Sequence, residues 1–84
     1  MNAGSDSQVV QLIAALNAEA AKAAGRPVAI VSATFEWIKP AEGPATTEVT
    51  ITRSTRTIVF SRADLKVGDV LTVSASAVHR VLDV

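Results

Sequence analysis

At Gly25-Arg26-Pro27 the spacing of apolar residues changes from helical to alternating, and it stays alternating to the end of the chain. Before the break, Val9, Leu12, Ile13, Leu16, Ala20 and Ala23 share one face at helical spacing. Ser5-x-x-Gln8 has the form of a capping box, and Asp6 suits the positive end of the helix dipole. Gly25 tolerates the positive φ that closes a helix, and Pro27 cannot prolong one. The predicted helix therefore covers about residues 6–24. It is rich in Ala and carries only Glu19 and Lys22 as charges beyond Val9. Ala gives helix propensity without bulk, so the helix is expected to be enclosed by its neighbours. An ordinary amphipathic helix is the alternative.

Beyond Pro27 four strands are predicted, over about 28–38, 46–54, 56–63 and 70–82. The first sets Ala29, Val31, Ala33, Phe35 and Trp37 on one face. Two of the three aromatic residues are thereby expected to lie against the helix. Lys39-Pro40-Ala41-Glu42-Gly43-Pro44 ends that strand, because Pro lacks a ladder donor and Gly accepts turn geometry. The second strand alternates Thr47, Val49 and Ile51 with polar residues. A tight turn near Ser54-Thr55 leads to the third. Lys66-Val67-Gly68-Asp69 makes the next turn, and Leu71, Val73, Ala75 and Ala77 face inward on the last strand, with Thr72, Ser74 and Ser76 outward. The fold class is α+β, one long helix against an antiparallel sheet.

Eighty-four residues form a single domain that buries only about 60–65% of its unfolded surface, so self-association is expected. No Cys is present to staple the chain, and one His with no thiolate gives little to bind a metal. Eight basic and eight acidic side chains cancel, which argues against nucleic-acid binding. No apolar run is long enough to cross a membrane. "MNAGSDSQ" lacks the form of a secretion signal, so a cytoplasmic location is expected.

Three segments resemble the hotdog fold of acyl-CoA thioesterases. "AAGRPVAIVSATFEWIKPAEGP" (Ala23 to Pro44) is similar to the helix end, strand and "FLRP…G" turn of the phenylacetate-pathway type. "VTITRSTRTIVFSRADL" is similar to the family's "v-r-x-GR" hairpin, with Thr55 where Gly is usual. "GDVLTVSASAVHRVL" is similar to its closing strand. The resemblance implies a hotdog fold, a helix wrapped by a curved sheet of four strands. It also implies an acyl-CoA or other acyl thioester as ligand, no further cofactor, and a homodimer or higher oligomer. The usual strand before the helix is missing from this short N-terminus. A family carboxylate inside the helix aligns with Ala14, and "SDSQ" replaces the His-Gly-Gly segment. "SDSQVVQLIAAL" is closer to the "GGQVVAQAL" helix start of the acyl-CoA thioesterase-like group.

Thioester hydrolysis needs an activated water or carboxylate and donors for the developing oxyanion. Val10, Ala14, Asn17 and Ala21 form one helical stripe, which Asp6 extends. Asn17 can orient a water or donate to a carbonyl; the plainer reading is a polar residue bonded to a strand. Asp6 is the only carboxylate near the helix start; the plainer reading is a dipole charge. His79, alone on an apolar strand face, reads as structural or half-exposed. Arg53, Arg56 and Arg62 surround the hairpin of strands two and three, and similar hairpins in the family lie near coenzyme A. Arg53 and Arg56 are the candidate phosphate ligands; solvated strand charges pairing with Glu48 or Asp64 are the alternative. The site set is thus Asn17 and Asp6 for chemistry, Arg53 and Arg56 for coenzyme A. Hydrolysis or binding of an acyl-CoA is expected, with Ala14 weakening catalysis. A non-catalytic hotdog dimer that serves structure or partner binding is the alternative.

Overall fold

The computed structural model describes the backbone of residues 3–82 and the side chains of residues 7–82. One helix, α1 (Ala3–Ala24), precedes four strands: β1 (Val28–Trp37), β2 (Ala45–Ser54), β3 (Ile58–Val67) and β4 (Val70–Val81). They form one antiparallel sheet in the order β1-β4-β3-β2. The long connection from β1 to β2 carries the chain from one sheet edge to the other, and β2-β3-β4 follow as hairpins. The helix lies mainly over β2 and β3 and less over β1 and β4. No helix among the described residues is long and apolar enough to cross a membrane.

α1 begins at Ala3, before the expected start. The backbone of Ser5 therefore lies inside the helix and not at its cap, and its side chain, the other half of the expected capping box, lies outside the described residues. Gln8 is buried and donates from Nε2 to the Ala41 carbonyl at 3.0 Å, tying the helix to the segment after β1. The other end is as expected. Gly25 has φ 69°, and the amides of Gly25 and Arg26 both donate to the Ala21 carbonyl, at 2.8 and 3.3 Å.

Leu12, Leu16 and Ala20 are fully buried against the sheet. The opposite side of the helix is open: Val10 is 66% exposed, Ile13 is 38% exposed, and Ala14 and Ala18 are exposed. The expectation of an enclosed helix fails because a four-stranded open sheet covers one side of it only. Ala23, also expected inside, is exposed near the helix end.

Strand parity fails at one point in β1. Ile30 pairs with His79 and Ser32 with Val78, so Val31 is an extra residue in a bulge. Val28 is buried before the bulge, and Phe35 packs on the core after it. One inserted residue thus splits the predicted stripe. Val31 is turned outward and is 60% exposed. Ala33 and Trp37 share the inward face with Phe35 but are exposed, Trp37 to 51%, because the helix lies mainly over β2 and β3 and leaves this edge strand little covered. A second shift lies where Leu65 pairs with Val73 and Lys66 with Leu71. It leaves Thr72 as the extra residue, and Thr72 is buried where an outward position was expected. The carbonyl of Thr72 accepts from Ile38 N at 2.9 Å, which holds the chain leaving β1.

A third shift leaves Thr52 of β2 as an extra residue, between Ile51 paired with Ser61 and Arg53 paired with Phe60, and the inward rows otherwise alternate as expected. Val49 and Ile51 on β2, Val59, Ala63 and Leu65 on β3, and Val73, Ala75 and Ala77 on β4 meet the helix. β3 starts later than predicted and runs further, to Val67. The turn at Thr55 is closed by its own side chain, whose Oγ1 accepts from Ile58 N at 3.0 Å. No described non-Gly residue has positive φ, so Thr55 adopts its turn without left-handed strain. Gly68, at φ 61°, opens the two-residue turn between the paired Val67 and Val70.

These exposures set the expected mutational costs. Leu16→Ala removes a fully buried side chain and should cost about 2–5 kcal/mol, enough to unfold a small domain. Trp37→Ala should cost under about 1 kcal/mol in the isolated subunit. Urea titrations at micromolar protein concentration measure both, and equal losses would place Trp37 in the core.

Candidate active site

Facing the helix, β3 carries Val59, Ser61, Ala63 and Leu65, and β4 carries Ala75, Ala77 and His79, all buried. Ser61 and His79 interrupt these apolar rows, and they meet. Ser61 Oγ lies 2.7 Å from His79 Nε2. His79 Nδ1 lies 3.4 Å from Asn17 Oδ1, at the long end of a hydrogen bond. His79 has no exposed surface, and burial lowers its pKa below the ordinary 6.5, so the ring is neutral near pH 7. The half-exposed alternative for His79 is thereby corrected. Asn17 does bond to a strand, through the ring of a strand residue.

Asn17 is half-buried, and Val10 and Ala14 on the same stripe are exposed. Asn17 is the only polar member of Val10, Ala14, Asn17 and Ala21. Its amide nitrogen makes no hydrogen bond among the described residues, and no buried side-chain polar atom there lacks a partner. That nitrogen therefore reaches the surface. Glu19 lies off the stripe and faces Lys22 at 3.5 Å. The backbone of Asp6 belongs to α1, while its side chain lies outside the described residues.

The three arginines are not one cluster. Arg56 lines a cleft of about 650 Å³ with Arg26, Ser54, Thr55, Thr57 and the end of α1. Arg53, on β2 opposite Phe60, is exposed but does not line that cleft. Arg62 sits on the outer sheet face among Thr34, Glu36 and Ser74. Arg53, paired with Phe60, and Arg62 both lie on the outer sheet face, whereas Arg56 belongs to the connection between β2 and β3. Asp64 accepts the Ser74 hydroxyl at 2.6 Å. None of Arg53, Arg56 and Arg62 forms an ion pair among the described residues.

Ser61 was not among the expected site residues. Its signal was a hydroxyl at an inward position of an alternating strand, which needs a buried partner. A second small cleft, about 120 Å³, lies between Gln8, Trp37, Ile38, Ala41 and Thr72. Gln8 gave no such signal, because its partner is a loop carbonyl 33 residues away.

The buried neutral ring has a pH consequence. The unfolded chain protonates His79 near pH 6.5, while the folded chain resists. Stability is therefore full above the unfolded value and falls as pH drops through it toward the lower folded value. The slope should approach at most about 1.4 kcal/mol per pH unit. Urea midpoints at pH 7.5 and 5.5 should show the loss, and His79→Gln should flatten the difference. A wild-type midpoint independent of pH would mean that the ring is already charged when folded or remains hydrated.

Comparison with known proteins agrees with this architecture. The family profile of the acyl-CoA thioesterase N-terminal domain matches residues 11–80. A Bacillus halodurans protein solved with CoA superposes with TM-score 0.75 at 11% identity, over 82% of this chain and 48% of that one. A conserved protein of Pseudomonas aeruginosa gives TM-score 0.64 at 17% identity, over 69% of this chain and 47% of its own. A phenylacetic acid degradation-related protein from Ralstonia eutropha JMP134 gives TM-score 0.64 at 17% identity, over 68% and 44%. The chain thus spans about half the length of these solved structures, and such low identities bear on the fold alone. None of the curated proteins matches the chain in sequence. With the profile covering most of the chain and the helix-on-sheet order in place, this protein belongs to the acyl-CoA thioesterase N-terminal domain family, and its fold is the hotdog fold.

Proposed function

We propose that this chain binds an acyl-CoA thioester along the open flank of α1 and hydrolyses it slowly. The observation that carries this reading is the stripe of Val10, Ala14 and Asn17: open, apolar, with one polar group and no acid at Ala14. An acyl chain suits Val10 and Ile13. Asn17 supplies a hydrogen bond but cannot act as base or nucleophile, and residual turnover rests on positioning and on Asp6. Arg56, in its cleft of about 650 Å³, is the phosphate ligand, with Arg53 assisting from the neighbouring strand. The Bacillus halodurans protein solved with CoA supports that ligand class. The whole function and a cytoplasmic setting remain part of the proposal.

The assembly we propose is a homodimer joined along β1. This edge strand has unpaired backbone groups on one side and carries exposed Val31 and Trp37, with Ile38 just beyond. A second copy would pair the edge and cover the side chains. A partner-binding dimer without turnover is the second reading, and the same exposed edge favours it.

Thiol release from short, medium and aryl acyl-CoAs tests the first reading. Wild type should be slow, and Ala14→Asp should raise the rate by up to about 10²–10⁴-fold, the usual worth of a general base. Circular dichroism should show that the variant folds, because position 14 is exposed and a carboxylate there stays hydrated. Arg56→Ala should weaken CoA binding, with turnover at saturation retained. Brisk wild-type hydrolysis that survives Asp6→Asn would defeat the slow-enzyme reading. Sedimentation velocity tests the assembly: a folded monomer at high micromolar concentration would exclude the dimer.

A further inference from the structure

We propose that Ser61 and His79 are positioning residues that turn the Asn17 carboxamide so that its N–H groups face the thioester carbonyl. The proposal rests on the acyl-thioester reading above. It follows from counting protons in the buried chain of three side chains. A neutral imidazole carries one N–H, and a hydroxyl carries one donor.

Two arrangements are open. In the first, Ser61 O–H donates to His79 Nε2, and Nδ1–H donates to Asn17 Oδ1. In the second, Nε2–H donates to Ser61 Oγ, and bare Nδ1 needs a donor from a flipped Asn17 amide. The second leaves the Ser61 proton without an acceptor, since His79 is the only hydrogen-bond partner of Ser61 Oγ among the described residues. Ser61 is buried, so water does not relieve that donor. An unpaired buried O–H costs more than an unused oxygen lone pair. The first arrangement wins without appeal to the drawn orientation of the amide, which could otherwise be exchanged.

The consequence lies at Asn17. Its oxygen is held inward by the ring, and its nitrogen, which reaches the surface, presents only donors to the flank beside Ala14. A fixed donor recognises an acceptor. In an acyl thioester that acceptor is the carbonyl oxygen, which gains charge as the bond to sulfur is attacked. Asn17 is thus a carbonyl donor and not a residue that takes a proton from water. Ser61 and His79 act only through it.

The test starts with the ligand-free protein at pH 7.5. Long-range ¹⁵N–¹H correlation spectra should show His79 in the Nδ1–H form, and the Nε2–H form would overturn the proposal. Ser61→Ala should lose that tautomer preference. Should Ser61→Ala fail to fold, the wild-type spectrum and Asn17→Ala still decide. Calorimetric titration with acetyl-CoA and with free CoA separates the carbonyl from the rest of the ligand. Asn17→Ala should weaken acetyl-CoA about 2–10-fold, the worth of one hydrogen bond, and leave free CoA unchanged. Equal weakening of both probes overturns the role of Asn17. If wild type binds neither probe, the acyl-CoA reading fails, and the acceptor named here fails with it, while the tautomer result stands apart.

Discussion

The buried bridge from Ser61 through His79 to Asn17 is the interaction on which the interior is organised. One apolar cluster contains Leu12, Leu16, Ala63, Leu65, Val73, Ala75 and Ala77. The other contains Ala20, Val28 and Val59. Along β3, Ser61 falls between Val59 and Ala63; along β4, His79 lies just beyond Ala77. On α1, Asn17 falls between Leu16 and Ala20. The polar chain therefore separates two apolar regions and ties helix to sheet where they part. A sliding helix could keep many apolar contacts, but it would leave the buried His79 Nδ1 unpaired. Hydrogen bonds thus define the register of helix on sheet more sharply than apolar burial, which is non-directional.

Two of the three extra residues in the sheet, Val31 and Thr72, adapt it around that bridge. Ile30 pairs with His79 immediately before the bulge at Val31. The bulge reverses the parity of β1, so Val28 can serve one apolar cluster and Phe35 the other. The shift at Thr72 works at the opposite end of β4, where its carbonyl anchors Ile38 and Lys39. Gln8 holds the same region through Ala41. These ties give a short chain order in its longest connection. The edge strand β1 shows Val31 and Trp37 to solvent, and the proposed dimer would cover both.

The candidate site follows from the incomplete cover of α1. The sheet buries Leu12 and Leu16, and the opposite flank keeps Val10, Ala14 and one amide of Asn17 available. A buried neutral His beneath the amide brings order without bringing charge. In the proposed reading, Ala at position 14 leaves this flank to recognise a carbonyl and not to attack it fast.

Sequence alone determined the elements and their order. Helical spacing before Gly25 and alternation after Pro27 are local properties of the backbone, and they are legible residue by residue. The inward row of β2, that of β4 from Val73 to Ala77, the helix end at Gly25 and the turn at Gly68 were legible for the same reason, while Leu71 was displaced by the shift at Thr72. The stripe of Ala14 and Asn17 could also be placed on one helix face, and the segments from Ala23 onward carried the family likeness. Only the tertiary structure decided how those pieces meet. A one-residue bulge has no signature in an apolar alternation, yet it moved Val31 out of the core, and Trp37 stayed exposed because the helix barely covers the edge strand. Gln8 left the expected cap for a carbonyl distant in the chain. Ser61 and His79 gained a shared meaning only when β3 lay beside β4 under Asn17. Periodicity records which face a side chain occupies; a hydrogen bond between elements depends on distances that folding alone sets.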